Sequence, residues 1–205
     1  MGESGSGKTT SCRNLDPKTT YYIDADGKGL AWKGWREQYN KENKNYLSTN
    51  DNILVKRCMD GVNTNAPHIK TLIVDTLNGI MVADEMRRSR EKGYDKWMDL
   101  AQCVWDMVND SLSYRDDLTV IFICHSQTER EDTGYFFTRI KTSGKKLDKI
   151  VLESKFPTVL LAKVIDGRYV FETTSKASTA KSPMGALEPI EDNDMAIILN
   201  KLEEY

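Results

Sequence analysis

The chain has 205 residues, enough to bury a core as one domain. Hydrophobic residues at 39% and charged residues at 29% exclude a disordered polypeptide. Lysine plus arginine (29) nearly balance aspartate plus glutamate (31), and a net charge of −2 excludes a global attraction for nucleic acid, so any such contact must come from local patches.

The first element is a loop. Gly2-Glu3-Ser4-Gly5-Ser6-Gly7-Lys8-Thr9 has the form G-x-x-x-x-G-K-S/T, a complete phosphate-binding loop. Its glycines let the backbone curl until N–H groups point at phosphate oxygens. Lys8 is expected on the β- and γ-phosphates and the Thr9 hydroxyl in a Mg²⁺ shell. Thr10 completes the nucleotide-binding set. Thr9 to Asn14 should start a short helix, limited by Pro17, whose N-terminal partial charge adds to the site. Such loops normally follow a buried apolar strand, and here Met1 alone precedes Gly2. Either that strand is absent, and two neighbouring strands lose their hydrogen-bonding partner, or the chain fills the central sheet position some other way.

Tyr21-Tyr22-Ile23 reads as a strand turning at Asp24-Ala25-Asp26-Gly27. Residues 32–52 are polar and read as irregular or weakly helical, and 53–59 as a strand or a helix start. The apolar run Thr71 to Asp75 predicts a buried parallel strand. Helices are predicted over 79–91 and 97–114, the second with a core stripe of Trp97, Leu100, Ala101, Val104, Val108 and Leu112. Leu118 to Cys124 predicts another buried strand, ending at His125. Residues 128–150 read as a mobile functional loop. Pro157 to Val164 and Arg168 to Thr173 form a predicted hairpin turning at Asp166-Gly167, followed by a loop over 175–191 and a helix from Asp194 to Leu202. The pattern predicts an α/β fold, a three-layer sandwich with a mainly parallel central sheet and a P-loop NTPase core. Residues 1–205 read as a single domain with 174–205 as a C-terminal extension.

Leu72-Ile73-Val74-Asp75 has the form of a Walker B element, in which Asp75 helps hold Mg²⁺. Hydrolysis also needs a group that orients or deprotonates water. Asp26 and Asp24 are the first candidates, Asp84 and Glu85 weaker ones. His125, at a strand end, could sense the γ-phosphate and pass its state to the following loop. The four cysteines contain no C-x-x-C pair, and the histidines His68 and His125 are far apart, so no zinc cluster is expected. No apolar run reaches membrane-spanning length and the N-terminus lacks a signal-peptide pattern, so the expected location is the cytoplasm, away from a membrane.

The segments GESGSGKTTS, YYIDADGKGL, TLIVDTLNGI, VIFICHSQ and TSGKKL, in this order, resemble the RecA-like ATPase core. The closest resemblance is to phage-encoded, AAA-type RecA-like ATPases that act as single-strand DNA annealing recombinases, and it covers most of residues 2–165. It implies an ATP-binding and hydrolysing protein that takes ATP and Mg²⁺, binds single-stranded DNA, and assembles as a homo-oligomeric ring or filament. A single-strand DNA-binding protein is a further implied partner, and a bacterial host cytoplasm the implied setting. In that family an acid after the second strand activates water. Asp26 stands there, where bacterial members carry Glu. His125 stands where Gln is usual. The family's DNA-binding loops match Arg87 to Lys92 and Arg139 to Lys149.

Those segments have the right chemistry on their own terms. Arg87, Arg88, Arg90 and Lys92 face one acid, Glu91; Arg139, Lys141, Lys145, Lys146 and Lys149 face one acid, Asp148. Tyr135, Phe136 and Phe137 immediately precede the second cluster. Cations follow a phosphate backbone while rings stack on bases. Two other readings share the phosphate loop. One is a nucleotide or small-molecule kinase using Arg87–Arg90 as a lid, and the other a non-hydrolysing nucleotide-dependent replication scaffold or loader. A regulatory GTPase is disfavoured because no N-K-x-D motif is present.

Overall fold

The computed structural model describes residues 1–93, 95–130, 134–142 and 151–205. They fall into two compact units, one of Met1–Leu15, Cys124–Lys141 and Leu152–Tyr205, the other of Asp16–Ile123 and Thr142–Val151.

The second unit carries the parallel sheet. Its elements in chain order are β1 (Thr20–Asp24), α1 (Trp35–Gln38), β2 (Tyr46–Ser48), α2 (Asn52–Asn65), β3 (Thr71–Asp75), α3 (Leu77–Arg87), α4 (Asp95–Ser111) and β4 (Thr119–Ile123). The strand order is β2-β1-β3-β4, parallel throughout, so the α/β class read from the sequence is the one observed. β3 is buried at every residue, as a continuous apolar run at the centre of a parallel sheet must be. Its register sets Asp24 beside Asp75 at adjacent strand ends.

Both crossovers after β2 run in the same direction, so right-handed connection puts α2 and the α3–α4 pair on one face. There α4 packs on both α2 and α3. On the other face the Tyr22 ring packs edge-on against Trp32 at 6.3 Å and Tyr39 at 5.7 Å. These layers close the core. Asp51 caps α2 by accepting from Ile53 N and Leu54 N, both at 3.0 Å, and Thr76 caps α3 by accepting from Gly79 N at 3.0 Å.

Of the two readings of 53–59 the helix is the one observed, with Val55, Met59 and Val62 buried at helical rather than alternating spacing. Other expectations are corrected here. The stretch 32–52 contains α1 and the short strand β2. β4 is half-buried along most of its length instead of fully buried. In α4, Leu100, Ala101, Val104 and Val108 are buried together with Met107, but Trp97 is exposed, and Leu112 lies beyond the helix in water.

In the first unit, a 3-10 helix at Thr10–Asn14 follows the opening loop. β5 (Ser126–Arg130) and β6 (Phe136–Ile140) form an antiparallel hairpin. β7 (Leu161–Ile165), β8 (Arg168–Glu172) and β9 (Ile190–Asp192) form an antiparallel sheet, and α5 (Met195–Glu204) packs on the 3-10 helix. The expected turn at Asp166-Gly167 is present, with φ of 50° and 78°, the two left-handed residues that match hairpin twist. The expected loop over 128–150 is corrected where the structure describes it, since Ser126–Arg130 pairs with Phe136–Ile140. β9 likewise takes in the last two residues, Ile190 and Glu191, of the expected loop over 175–191.

Candidate functional site

Met1 and Gly2 are paired on both sides. The Met1 amine donates to Leu160 O at 2.7 Å and Ala162 N donates to Met1 O at 2.8 Å. Gly2 N donates to Cys124 O at 3.1 Å, and Ser126 N donates to Gly2 O at 3.1 Å. Of the two alternatives, the position is filled at these residues, since Met1 and Gly2 serve both neighbouring segments.

The loop then turns over itself. A Cβ on Gly2 would lie 2.5 Å from Ser6 Oγ and 2.7 Å from Ala162 O, so only glycine fits. Gly5 and Gly7 have φ of 80° and 89°. Ser6 Oγ donates to Glu3 O at 2.8 Å, and the Lys8 ammonium donates to the same carbonyl at 2.6 Å. A cation is thereby held across the mouth of a narrow backbone turn, an arrangement suited to a polyphosphate. Glu3, Ser4 and Gly5 are exposed, Ser6 and Thr9 buried, and Gly7, Lys8 and Thr10 half-buried. The expected helix is a five-residue 3-10 turn, so the loop's own N–H groups must supply more of the positive potential than a helix axis does. A cavity of about 360 Å³ adjoins the loop, lined by Ser4, Ser6, Ser126, Thr128, Thr138 and Lys163 among others.

His125, half-buried, follows the carbonyl that holds Gly2, and its own carbonyl accepts from Lys141 N at 2.8 Å. It is therefore placed between the loop's first residue and the two ends of the β5–β6 hairpin.

The carboxylates are in the second unit. Asp75 is buried and accepts from the Tyr22 hydroxyl at 2.6 Å. The peptide joining it to Thr76 is cis. Asp26 Oδ1 accepts from Thr76 Oγ1 at 2.8 Å, and Oδ2 accepts from the Lys28 ammonium at 2.6 Å. Gly79 stands against Asp26 Oδ1 so closely that a side chain there would strike it. Asp24, the last residue of β1, holds the turn that follows, accepting from Gly27 N and Gly29 N at 2.9 and 2.8 Å, and also accepts from the Tyr46 hydroxyl at 2.8 Å. Asp84 accepts from Asn52 at 2.9 Å, and Glu85 is half-buried on α3. Mg²⁺ takes oxygen ligands, and the Thr9 hydroxyl and Asp75 carboxylate are donors of that kind.

The basic residues are used unequally. Arg87 donates to Asn50 O at 3.1 Å and also to the Asn50 side chain. Arg88 is engaged by Glu91 at 2.8 Å and Asp99 at 2.9 Å, while Arg90 and Lys92 are exposed. Arg139 is ion-paired with Glu129 across the hairpin. Lys141 and Phe136 are exposed and Phe137 half-buried. Lys145, Lys146 and Lys149 lie outside the described residues.

Sequence reasoning missed Lys28. Burial opposes its charge, yet the hydrogen bond to Asp26 and the carboxylates of Asp26, Asp75 and Asp24 outweigh that and raise its pKa. Its position two residues after Asp26 was the available signal. It also missed Tyr22, Tyr169 and Asn193, the last two lying against the loop from far along the chain, where no local pattern marks them.

Among the described residues no helix is long and apolar enough to cross a membrane. A family model described as an AAA domain matches residues 1–183. No curated protein matches the chain.

Proposed function

The chain belongs to the AAA domain family, a nucleotide-binding ATPase type, and on that premise we propose that it hydrolyses ATP with Mg²⁺ and couples the nucleotide to single-stranded DNA, as a phage-type annealing or recombination protein in a bacterial host cytoplasm. The observation that carries the coupling is the backbone pairing of Gly2 with Cys124 and Ser126, at the root of the β5–β6 hairpin. Tyr135 and Phe136 stand exposed at the start of β6, 76% and 65% accessible, with Arg130 in register with Phe136. Rings in water next to cations suit stacked bases and phosphates.

In this reading the loop binds the triphosphate, and the Lys8 ammonium leaves the Glu3 carbonyl for phosphate oxygens. Mg²⁺, when bound, would neutralise charge on the phosphates. Thr9 and Asp75 are assigned to its shell on their motif positions, Asp26 to the attacking water, and His125 to sensing the γ-phosphate and moving the hairpin. Arg87, Arg88, Arg90 and Lys92, with Phe136, Phe137, Arg139, Lys141, Lys145 and Lys146, are assigned to DNA. Homo-oligomers in a ring or filament would place ATP between copies, with a single-strand DNA-binding protein as a further partner.

The test is ATP turnover with and without single-stranded DNA, for the parent and Lys8→Ala. DNA should raise the parent rate several-fold, and Lys8→Ala should abolish both rates. Equal parent rates with and without DNA contradict the coupling. A second reading, a nucleotide-dependent scaffold, is favoured by one observation: both Asp26 oxygens are already engaged, by Thr76 and Lys28. Tight ATP binding with negligible turnover would select it.

A further inference from the structure

Lys28 is a cation already seated among the carboxylates of the second unit. Its ammonium donates to Asp26 Oδ2 at 2.6 Å, with the lysine side chain 52% exposed and that of Asp26 18%. Burial works against the ammonium's charge, and the hydrogen bond to Asp26 with the fields of Asp26, Asp75 and Asp24 outweighs it. Asp24 and Asp75 lie side by side at the ends of β1 and β3. One lysine thus faces three acids, and two negative charges among these four groups stay unmatched. The two partners of Asp26 are held unequally. Thr76 is 1% exposed and its hydroxyl also caps α3, so its hydrogen bond to Asp26 Oδ1 belongs to the framework. Lys28 stands on a turn whose backbone is pinned, since Gly27 N and Gly29 N both donate to Asp24, but its side chain has solvent to move into.

We propose that Lys28 is the resident counterion of this cluster, holding Asp26 Oδ2 while no metal is bound and releasing it when a divalent cation takes over the charge. The ammonium and a divalent ion repel each other, and Lys28 is the one of the two Asp26 partners that can leave. Asp26 then stays in place through Thr76 and has Oδ2 open to accept from the attacking water. Lys28 therefore acts through Asp26, as a positioning residue that masks the acid until the metal has arrived. On this account the engagement of both Asp26 oxygens is a property of the metal-free protein and is compatible with hydrolysis. The inference rests on reading Asp75 as a Mg²⁺ ligand and Asp26 as the acid that handles water.

Mn²⁺ titrated into the nucleotide-free full chain, read by electron paramagnetic resonance of the free ion, tests it. Lys28→Met should bind Mn²⁺ about five- to twenty-fold tighter than the parent, the gain expected from removing one repelling charge beside a partly exposed site. The gain should narrow as salt is added. Lys28→Arg keeps the charge and should bind like the parent, and Asp75→Asn added to Lys28→Met should remove the gain. A merely structural lysine predicts the opposite sign, because a loosened cluster binds metal more weakly. Should Lys28→Met fail to fold, Lys28→Gln is read in its place with the same expectation. Equal or weaker Mn²⁺ binding in the variant, beside normal Mg·ATP uptake by the parent in calorimetry, overturns the counterion role while the nucleotide site stands. A parent that takes up no Mg·ATP overturns the nucleotide reading itself.

Discussion

Gly2 lies so close under Ser6 that a Cβ at position 2 would stand 2.5 Å from Ser6 Oγ. The loop's first glycine is fixed by this approach, and by Ala162 O on the other side, more than by any unusual dihedral. Gly2→Ala must push the loop off its own closing hydrogen bonds. A loss of about 1–3 kcal/mol is expected, seen as a fall of roughly 2–12 °C in the thermal unfolding midpoint, together with weakened Mg·ATP binding. An unchanged midpoint and affinity would contradict the close packing.

This glycine shows how far the sequence could be read. The spacing of Gly2, Gly7, Lys8 and Thr9 announces the phosphate loop, and Thr71 to Asp75 announces the central strand, because each is a local pattern with a local cause. The strands β2 and β9, three residues each, carry too few residues to show periodicity, and the hairpin β5–β6 hides in polar sequence because neither strand is deeply buried. Lys28 and Asn193 were illegible for a different reason. What makes them notable is whom they touch, Asp26 in one case and Gly7 in the other, and contact across the chain leaves no trace in spacing.

Asp26 and Thr76 join the turn after β1 to the cap of α3. If Asp26 handles the attacking water, Asp26→Asn should lower ATP turnover by about 10²–10⁴-fold with ATP affinity kept. Thr76→Ala should cost about 1 kcal/mol through the lost cap and also slow turnover by misplacing Asp26. Steady-state kinetics beside binding separates the two. Full turnover in Asp26→Asn would remove the catalytic assignment and leave Asp26 as a turn residue.

Asp60 accepts from the Lys56 ammonium at 2.7 Å and from the Tyr114 hydroxyl at 2.7 Å. Burial raises the carboxyl's pKa, but the hydrogen bonds from Lys56 and Tyr114 outweigh it and the net shift is downward. A carboxyl depressed in the folded state stabilises above its unfolded pKa, about 3.9, and that contribution disappears as pH falls through the lower folded value. Asp60→Asn should therefore unfold at lower temperature than the parent at pH 7, and the gap should close below about pH 4. A gap that persists in acid would show that packing, not charge, is responsible.

Tyr135 and Phe136 are exposed beyond need if they touch nothing. Tyr135→Ala and Phe136→Ala should each weaken single-stranded DNA binding by about 1–3 kcal/mol, in fluorescence anisotropy at fixed salt, with Mg·ATP affinity unaltered. Arg90→Ala should act differently, lowering affinity evenly across sequences and flattening the salt dependence by roughly one counterion. Unaltered DNA affinity in both aromatic variants would sink the hairpin's proposed role.

The central claim is that the opening loop, with Lys8 across its mouth, grips a nucleoside triphosphate. Titration calorimetry of Mg·ATP into the folded chain and into Lys8→Ala tests it most directly. The account predicts saturable uptake by the parent and at least about ten-fold weaker uptake by Lys8→Ala, the loss expected for one charge-assisted contact to phosphate. Absence of binding by the parent, or equal binding by the two proteins, would contradict it.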